Sequence, residues 1–318
     1  MKGWLFTGTH IPFKLVEKPD PVAVPGEVVI DIKSAGLCHS DVAALEDPGW
    51  MAIFTNGSVY MGHEFAGVIT EVGAGVTGFK VGDRVGVCPM NLDYPKPGGV
   101  GYARDGGYAT KALVPAEQLV LLPDNVNFAQ GAAGTDAGGT AYRAMFVTGG
   151  AKAGMKVGVI GIGGLGQLAA RMAVLAGCEV YAAEVKAEAR ELGKEIGVKQ
   201  VFENVSDLAA VGCELIVDYA GFGTTTAQAL EAVAYSGTVV LAGMGKLEAN
   251  INTYSLITNS LTLKGSVGMK PDDIKAVYDF FATGKLNPEL TTITFDEIPD
   301  GLERLHRGEV KGRLVALI

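Results

Sequence analysis

The 318-residue sequence has few of the cysteines that cross-link small secreted proteins and fewer basic than acidic residues. It has only four cysteines, at widely separated positions, and two tryptophans. Scattered cysteines do not suggest a disulfide framework, so a reducing, cytoplasmic setting is the simplest interpretation. Lys and Arg number 26 against 35 Asp and Glu, which gives a net charge of -9. The basic residues are not clustered, and this argues against a nucleic-acid partner.

Long apolar segments are missing as well. The first residues lack the apolar core of a signal peptide, and no uninterrupted apolar run of about 20 residues predicts a membrane span. Hydrophobic residues make up 48% of the chain and charged residues 19%, which is typical of a globular enzyme. A chain of this length can form two domains with a large buried core.

Changes in residue pattern divide the chain into three segments. Residues 1–137 hold short extended runs, such as 27–33, 66–72 and 80–87, between glycines and prolines, which predicts an irregular all-β domain. Residues 138–267 alternate strands with helices, the pattern of a doubly wound parallel sheet. Residues 268–318 hold two helical stretches and a last strand. The predicted fold class is therefore α/β with an additional β domain.

A glycine turn follows the first strand of the second segment. Gly161, Gly163 and Gly166 occupy the positions of a G-x-G-x-x-G fingerprint, and a helical pattern of apolar residues begins at Leu165, directly after Gly164. Such glycines let backbone amides approach a pyrophosphate at a helix N-terminus. A glycine triplet alone is a weak signal in a chain with 45 glycines, but its place between a strand and a helix favours dinucleotide binding.

An acidic residue stands where the ribose of such a dinucleotide is expected. Glu184 ends the next strand, 21 residues beyond Gly163. A carboxylate there binds ribose hydroxyls and repels a 2′-phosphate, so NAD(H) is favoured over NADP(H). Lys186 weakens this preference, and a solvated glutamate at a strand end is the alternative interpretation.

Two short elements of the first segment supply metal-ligand chemistry. Cys38 opens the run Cys-His-Ser-Asp, and His63 stands in Gly-His-Glu, 25 residues after this cysteine. A thiolate and an imidazole are the ligand types that zinc prefers. Taken singly, Cys38 could be a small buried hydrophobe and His63 a hydrogen-bonded core histidine.

Together these motifs resemble the zinc-containing alcohol dehydrogenases of the medium-chain dehydrogenase/reductase superfamily, over nearly the whole chain. The resemblance implies a GroES-like catalytic domain at 1–137, an NAD-binding Rossmann domain at 138–267, and a return segment at 268–318 that completes the catalytic domain. It also implies one catalytic zinc, with Cys38 and His63 as ligands. Asp136 stands where the family usually has a second cysteine ligand. This aspartate gives the chain a fainter resemblance to a subgroup with an aspartate ligand. Alternatively, Asp136 caps a helix that begins near Gly138.

The resemblance assigns roles to five further residues. Asp41 would orient the histidine ligand, and Ser40 would receive the alcohol proton before hydride passes to the nicotinamide. Glu64 would lie behind the metal and assist ligand exchange. His39 and Arg313 match positions that hold the cofactor pyrophosphate.

Two departures from the family pattern limit the analogy. Ala43 stands where some relatives carry a histidine that continues the proton relay. Many relatives also bind a structural zinc through four closely spaced cysteines, whereas only Cys88 is present here, so no structural zinc is expected.

The expected activity is hydride transfer between NAD(H) and an alcohol/carbonyl pair. Trp50 and Phe54 favour a hydrophobic secondary alcohol, although both could belong to the core. A homodimer or homotetramer is expected, with residues 260–266 matching the strand that pairs between subunits. The alternatives are a metal-free quinone or enone reductase, and a cofactor-binding protein without catalysis.

Overall fold

The computed structural model describes residues 1–54, 57–90 and 99–318. These residues form two compact units. One contains Met1–Gly139, Met269–Thr283 and Glu289–Ile318, and the other contains Thr140–Gly268 and Gly284–Pro288. Residues 91–98, which belong to the segment where the sequence lacks the cysteines of a structural zinc lobe, lie outside the described residues.

Short strands dominate the N-terminal part of the first unit. They are β1 (Lys2–Phe6), β2 (Lys14–Glu17), β3 (Glu27–Leu37), β4 (Val59–Tyr60), β5 (Phe65–Val72), β6 (Arg84–Val87), β7 (Lys111–Pro115) and β8 (Leu119–Leu121). Two helices accompany them, α1 (His39–Glu46) and α2 (Phe128–Ala133), with 3-10 turns at Pro48–Ile53 and Ala116–Gln118. A π-helical turn at Gly134–Gly138 follows α2 directly, and α3 (Gly139–Tyr142) follows that turn.

Strands and helices alternate through the second unit. After a second π-helical turn at Arg143–Thr148, the elements are β9 (Lys156–Ile160), α4 (Gly166–Leu175), β10 (Glu179–Ala183), α5 (Ala187–Ile196), β11 (Gln200–Phe202), β12 (Leu215–Asp218), α6 (Thr224–Ala232), β13 (Thr238–Leu241), α7 (Thr253–Thr258) and β14 (Thr262–Gly265). A 3-10 turn at Val205–Ala210 precedes β12. The chain ends with α8 (Pro271–Ala282), β15 (Leu290–Thr294), α9 (Ile298–His306) and β16 (Arg313–Leu317).

The first unit is organised by β3, its longest strand. β3 pairs with β7 near its start, with β16 near its end, and with β5 along most of its length, all antiparallel. Ile30, Leu37 and Phe65 contribute to one large core and are fully buried. Pairing with β16 joins the last residues of the chain to the same sheet as β3 and β5. The predicted β domain is therefore confirmed.

The second unit contains a six-stranded parallel sheet in the order β11-β10-β9-β12-β13-β14. β9 lies at its centre, and four of its five residues are buried, as the near-continuous apolar run of a covered strand predicts. α5 buries Leu192 and Ile196 on one face and ends at Gly197, whose left-handed φ of 94° suits glycine. The predicted doubly wound α/β fold is confirmed.

One predicted strand begins later than expected. The run 80–87 reads as extended, but β6 begins at Arg84. The Asp83 carboxylate accepts a hydrogen bond from the backbone N–H of Lys80 at 2.9 Å, and the Asp83 N–H donates to the Lys80 carbonyl at 3.1 Å. This local turn competes with the strand, a common role of aspartate. Within the described residues, no helix is long and apolar enough to cross a membrane.

The core of the first unit offers a stability test. Ile69 is fully buried in β5, whereas Leu121 at the end of β8 is 54% exposed. We expect Ile69→Ala to lower the free energy of unfolding by about 2–5 kcal/mol, because it leaves a cavity. Leu121→Ala, the matched surface truncation, should change it by less than about 1 kcal/mol. Denaturant unfolding of both variants checks this, and equal losses would contradict the core assignment.

Candidate active site

Cys38 stands at the junction between β3 and α1. Its backbone N–H donates to Asp41 Oδ2 at 3.0 Å, one turn into the helix, which fixes the start of α1. The Cys38 side chain is buried, and its Sγ lies 3.7 Å from Ser40 Oγ. Ser40 is half-buried, and His39, the first residue of α1, is exposed. The local fold therefore places the thiol and the Ser40 hydroxyl side by side.

His63 is almost completely buried between two carboxylates. Its Nδ1 lies 3.1 Å from Asp41 Oδ1 and 2.8 Å from the Tyr102 hydroxyl, while its Nε2 lies 3.3 Å from Asp136 Oδ2. Burial opposes a charge on the ring, but Tyr102, Asp41 and Asp136 raise the pKa of His63 well above its usual value. In the neutral ring, a proton on Nδ1 donates to Asp41 and leaves the Nε2 lone pair on the side of Asp136.

The Asp41 carboxylate links these groups. It is fully buried, and it accepts hydrogen bonds from the Cys38 N–H and from the Tyr108 hydroxyl, the latter at 2.6 Å, besides its contact with His63. Burial, together with Asp41, raises the pKa of Tyr108 well above its usual value, so this phenol stays a neutral donor. Asp41 thus contacts both the backbone of the cysteine and the ring of the histidine.

Asp136 lies within the π-helical turn Gly134–Gly138, between α2 and α3. Helical structure therefore begins at Phe128, and Asp136 does not cap a helix beginning near Gly138. Its Oδ2 lies 3.6 Å from Cys38 Sγ and 3.3 Å from His63 Nε2. Burial acts to raise the pKa of Asp136, but His63 and Arg313 hold it at about 2. The wide turn directs an anionic side chain toward the other two groups.

Cys38, His63 and Asp136 offer ligand atoms that all lie within 4.8 Å of one another. Bond lengths of about 2.3 Å for zinc–sulfur and about 2.0–2.1 Å for zinc–nitrogen and zinc–oxygen give tetrahedral edges of about 3.6 Å and about 3.3 Å. The Cys38–Asp136 and His63–Asp136 distances of 3.6 Å and 3.3 Å match these edges. The three donors could therefore hold a zinc ion.

A buried ion pair lies directly beside these donors. Arg313, at the start of β16, donates to Glu64 through Nε at 3.0 Å and also through Nη2. Arg313 Nη2 lies 3.8 Å from Asp136 Oδ2. Burial raises the pKa of Glu64 to about 7, against the lowering influence of Arg313. A Cβ at Gly36 would lie 2.2 Å from Glu64 Oε2, so glycine is required for this close approach.

The glycine turn of the second unit follows β9. Gly161 has a φ of +85°, and a Cβ at Gly166 would lie 1.7 Å from the Gly161 carbonyl oxygen. Gly163 is exposed, and a Cβ there would meet no atom within 4 Å. Gly164 and Leu165 complete the turn before α4 begins at Gly166. Gly161 and Gly166 thus shape the turn, and Gly163 leaves its outer side open.

Glu184 holds this turn from the end of β10. Its carboxylate accepts hydrogen bonds from the backbone N–H groups of Ile162 at 2.7 Å and Lys186 at 2.8 Å. The acidic group therefore lies against the glycine turn, where the sequence places a ribose-binding residue.

The two candidate substrate residues differ in their surroundings. Phe54 is 5% exposed and contacts the rings of Phe6 and Tyr102, with centroid distances of 4.5 Å and 5.5 Å. It is a core residue that supports Tyr102. Trp50 is half-buried in the turn Pro48–Ile53 and packs against the same core.

Tyr102 and Tyr108 are site residues that the sequence analysis did not single out. Both flank the run Ala-Arg-Asp-Gly-Gly, and their partners His63 and Asp41 lie 39 and 67 positions away. Gly106 and Gly107 pack so closely on the backbone of Gly62 and the side chain of Phe65 that a Cβ would not fit. A glycine pair next to an aromatic residue was the available signal for a tightly packed loop.

Comparison with protein families adds evidence from the chain as a whole. Residues 24–124 match the alcohol dehydrogenase GroES-like domain, and residues 164–283 match the zinc-binding dehydrogenase domain. An alcohol dehydrogenase of Geobacillus stearothermophilus is 33% identical, and the alignment covers 96% of each chain. A second alcohol dehydrogenase of this organism is 31% identical over 96% of this chain and 95% of its own length.

This chain belongs to the zinc-containing alcohol dehydrogenase family. The relatives named alcohol dehydrogenase support an activity that interconverts alcohols and carbonyl compounds, with a small molecule as the substrate. The membership confirms the predicted superfamily.

Solved structures of other alcohol dehydrogenase family members share the fold. Acetophenone reductase from Geotrichum candidum, solved in complex with NAD, superposes with a TM-score of 0.89 at 27% identity, covering 100% of this chain and 97% of that one. The 2R,3R-butanediol dehydrogenase of Bacillus subtilis gives a TM-score of 0.88 at 26% identity, covering 100% and 99%.

Two glycine substitutions separate the shape of the turn from its binding surface. Gly166→Ala forces a Cβ onto the Gly161 carbonyl oxygen, so we expect a clear fall in melting temperature. Gly163→Ala has room for its methyl group and should keep the wild-type melting temperature. It should nevertheless lose about tenfold or more in NADH affinity, because the methyl group occupies the open side of the turn. Thermal melts and NADH titrations check both variants, and unchanged NADH affinity in Gly163→Ala would contradict the proposed pyrophosphate site.

Proposed function

We propose that this protein is a zinc- and NAD(H)-dependent dehydrogenase that transfers a hydride between the nicotinamide and an alcohol/carbonyl pair. The observation that most supports this proposal is the convergence of Cys38, His63 and Asp136 at distances that suit one tetrahedral ion. Cys38 and His63 lie 98 and 73 positions before Asp136 in the chain. Three protein ligands with an open fourth position are characteristic of catalytic rather than structural zinc.

The mixed donor set is compatible with zinc. Asp136 supplies an anionic oxygen in place of a second thiolate, so the number of negative charges among the ligands is unchanged. Zinc accepts carboxylate oxygen alongside sulfur and nitrogen. Asp41 would keep the His63 proton on Nδ1 and so keep Nε2 free for the metal. Glu64 would lie beside the metal, held by Arg313.

When bound, zinc supplies Lewis-acid chemistry at the substrate oxygen. Ser40 would relay the proton that the alcohol releases, accepting it while its own hydroxyl proton passes to a cofactor ribose hydroxyl and water, because the Ser40 hydroxyl lies 3.7 Å from Cys38 Sγ at the edge of the site. Ala43 offers no titratable side chain to carry this proton further. The buried surroundings of His63, Asp41 and Glu64 would exclude bulk water from the inner side of the site.

We infer that the cofactor is NAD(H) rather than NADP(H). The Glu184 carboxylate at the glycine turn would repel a 2′-phosphate and accept hydrogen bonds from ribose hydroxyls. Gly161, Gly163, Gly164, Leu165 and Gly166 would hold the pyrophosphate through backbone amides. His39 and Arg313 remain proposed contributors to pyrophosphate binding. Arg313 would do so while also engaging Glu64.

A hydrophobic secondary alcohol is the proposed substrate class. The half-buried ring of Trp50 supports an apolar surface, and the names of two similar structures refer to a ketone and to a secondary diol.

We also propose a homodimer or homotetramer in the cytoplasm. All four residues of β14 are exposed, and β14 is an edge strand of its sheet within the described residues. Such an edge leaves backbone hydrogen-bonding groups available to a second copy.

Metal content is the direct test of the proposed centre. Purified, undialysed protein should contain about one zinc per chain by elemental analysis. Cys38→Ala and Asp136→Asn should lose the metal and lower turnover by about a hundredfold or more, while NADH affinity stays close to wild type. Cys88→Ala, a buried cysteine outside the three donors, is the matched control and should keep the metal. Wild-type protein that stays metal-free after zinc is added would instead indicate a metal-free reductase.

Cofactor preference is tested at Glu184. Glu184→Ala should weaken NADH binding by about tenfold, since a charged hydrogen-bond acceptor is lost, and should narrow the preference over NADPH. Glu188→Ala, an acidic residue in the first turn of α5, is the charge-matched control and should alter neither affinity. Titrations with both cofactors give the ratio, and an unchanged ratio in Glu184→Ala would remove Glu184 from the cofactor site.

A further inference from the structure

Asp218 ends β12, the strand that follows a change of direction in the parallel sheet. From the central β9 the chain proceeds to β10 and β11 on one side, and β12, β13 and β14 lie on the other. In open α/β sheets, ligands bind at this switch point, outside the carboxyl ends of the two central strands. The loops after β9 and β12 therefore border the expected crevice.

The Asp218 side chain is fully buried, and its carboxylate has its full complement of donors. Oδ1 accepts hydrogen bonds from the backbone N–H groups of Ala220 at 3.0 Å and Gly221 at 2.8 Å. Oδ2 accepts from the hydroxyls of Thr225 at 2.8 Å and Thr226 at 2.9 Å. Each oxygen thus receives two donors, which saturates the carboxylate.

Thr225 extends this network by one residue. Its Oγ1 accepts from the backbone N–H of Phe222 at 3.0 Å while donating to Asp218. Three consecutive backbone amides of the loop, at 220, 221 and 222, are consequently tied to one buried charge. Rearranging the loop would leave that charge without its donors, which is costly in a buried site.

The same loop packs against its neighbours on both sides. Toward β13, the Lys246 N–H donates to the Gly221 carbonyl at 2.8 Å, and a Cβ at Gly221 would lie 2.0 Å from the Gly243 oxygen. Toward the glycine turn, a Cβ at Gly161 would lie 3.4 Å from the Ala220 Cβ. The loop that Asp218 fixes therefore links the glycine turn to the loop after β13.

We propose that Asp218 is a positioning residue for the cofactor, which it serves through the 219–223 loop. The loop lies on the β12–β14 half of the sheet, which in a doubly wound fold receives the second mononucleotide, the nicotinamide half. Glu184 and the glycine turn lie on the β9–β11 half, which receives the adenosine. This inference rests on the proposed dinucleotide function. If Asp218 has this role, a change at Asp218 should weaken binding of the nicotinamide half of the cofactor and leave binding of the adenosine half unchanged.

The test compares the whole dinucleotide with its adenosine fragment. Asp218→Asn keeps the shape of the side chain, but its amide nitrogen cannot accept the two threonine hydroxyls. We expect NADH affinity to fall about tenfold or more, while 5′-AMP affinity stays within about twofold of wild type. Fluorescence titration with NADH and competition by 5′-AMP measure the two affinities on the full chain, and a thermal melt monitors folding.

Three threonine variants distinguish a loss of the positioning role from a failure of the Asp218→Asn variant to fold. Thr225→Val removes the relay hydroxyl and should reproduce the selective loss of NADH affinity, whereas Thr225→Ser should restore it. Thr224→Val makes the same change one residue earlier, at an exposed position, and should leave both affinities unchanged. Parallel loss of NADH and 5′-AMP affinity, or no loss in Asp218→Asn and Thr225→Val, would overturn the positioning role. Wild-type protein that binds neither nucleotide would instead overturn the proposed function.

Discussion

A buried carboxylate must recover inside the protein the hydrogen bonds that it loses from water, and this constraint shapes both units of the chain. Asp41 meets it in the first unit with the Cys38 N–H, the Tyr108 hydroxyl and His63. Asp218 meets it in the second with two backbone amides and two threonine hydroxyls. Each aspartate is fully buried at the end of a strand or in the first turn of a helix. The geometry of the neighbouring loops follows from these donors.

The candidate metal centre depends on charge balance as much as on ligand geometry. Asp136, Glu64 and Asp41 bring three carboxylates close to one another, and Arg313 is a buried cation that compensates part of this charge. Arg313 reaches the site from the last strand, 249 residues after Glu64. The C-terminal strand therefore contributes a charge to the site as well as pairing with β15 and β3 in the sheet. Removing one partner of such a buried pair is far more costly than the pair itself is stabilising.

Local patterns in the sequence were sufficient to predict most elements of the second unit. The alternation of strands and helices predicted for 138–267 is the order observed from β9 to β14. The first unit was harder, because its contacts are distant in sequence. Nothing local to Tyr102 indicates His63 as its partner, and nothing local to Asp136 indicates that Cys38 Sγ lies 3.6 Å from its carboxylate. Phe54 shows the same limit, since apolar bulk is equally compatible with a pocket wall and with a core.

The π-helical turn around Asp136 has a consequence for how this stretch can change during evolution. Each residue of a helix advances the side-chain direction by roughly 100°. A single deletion between Phe128 and Asp136 would therefore rotate Asp136 away from Cys38 and His63, even though every side chain near the centre was retained. Substitutions on the outer face leave that angle unchanged. The stretch should consequently drift in composition among descendants of this gene while keeping its length.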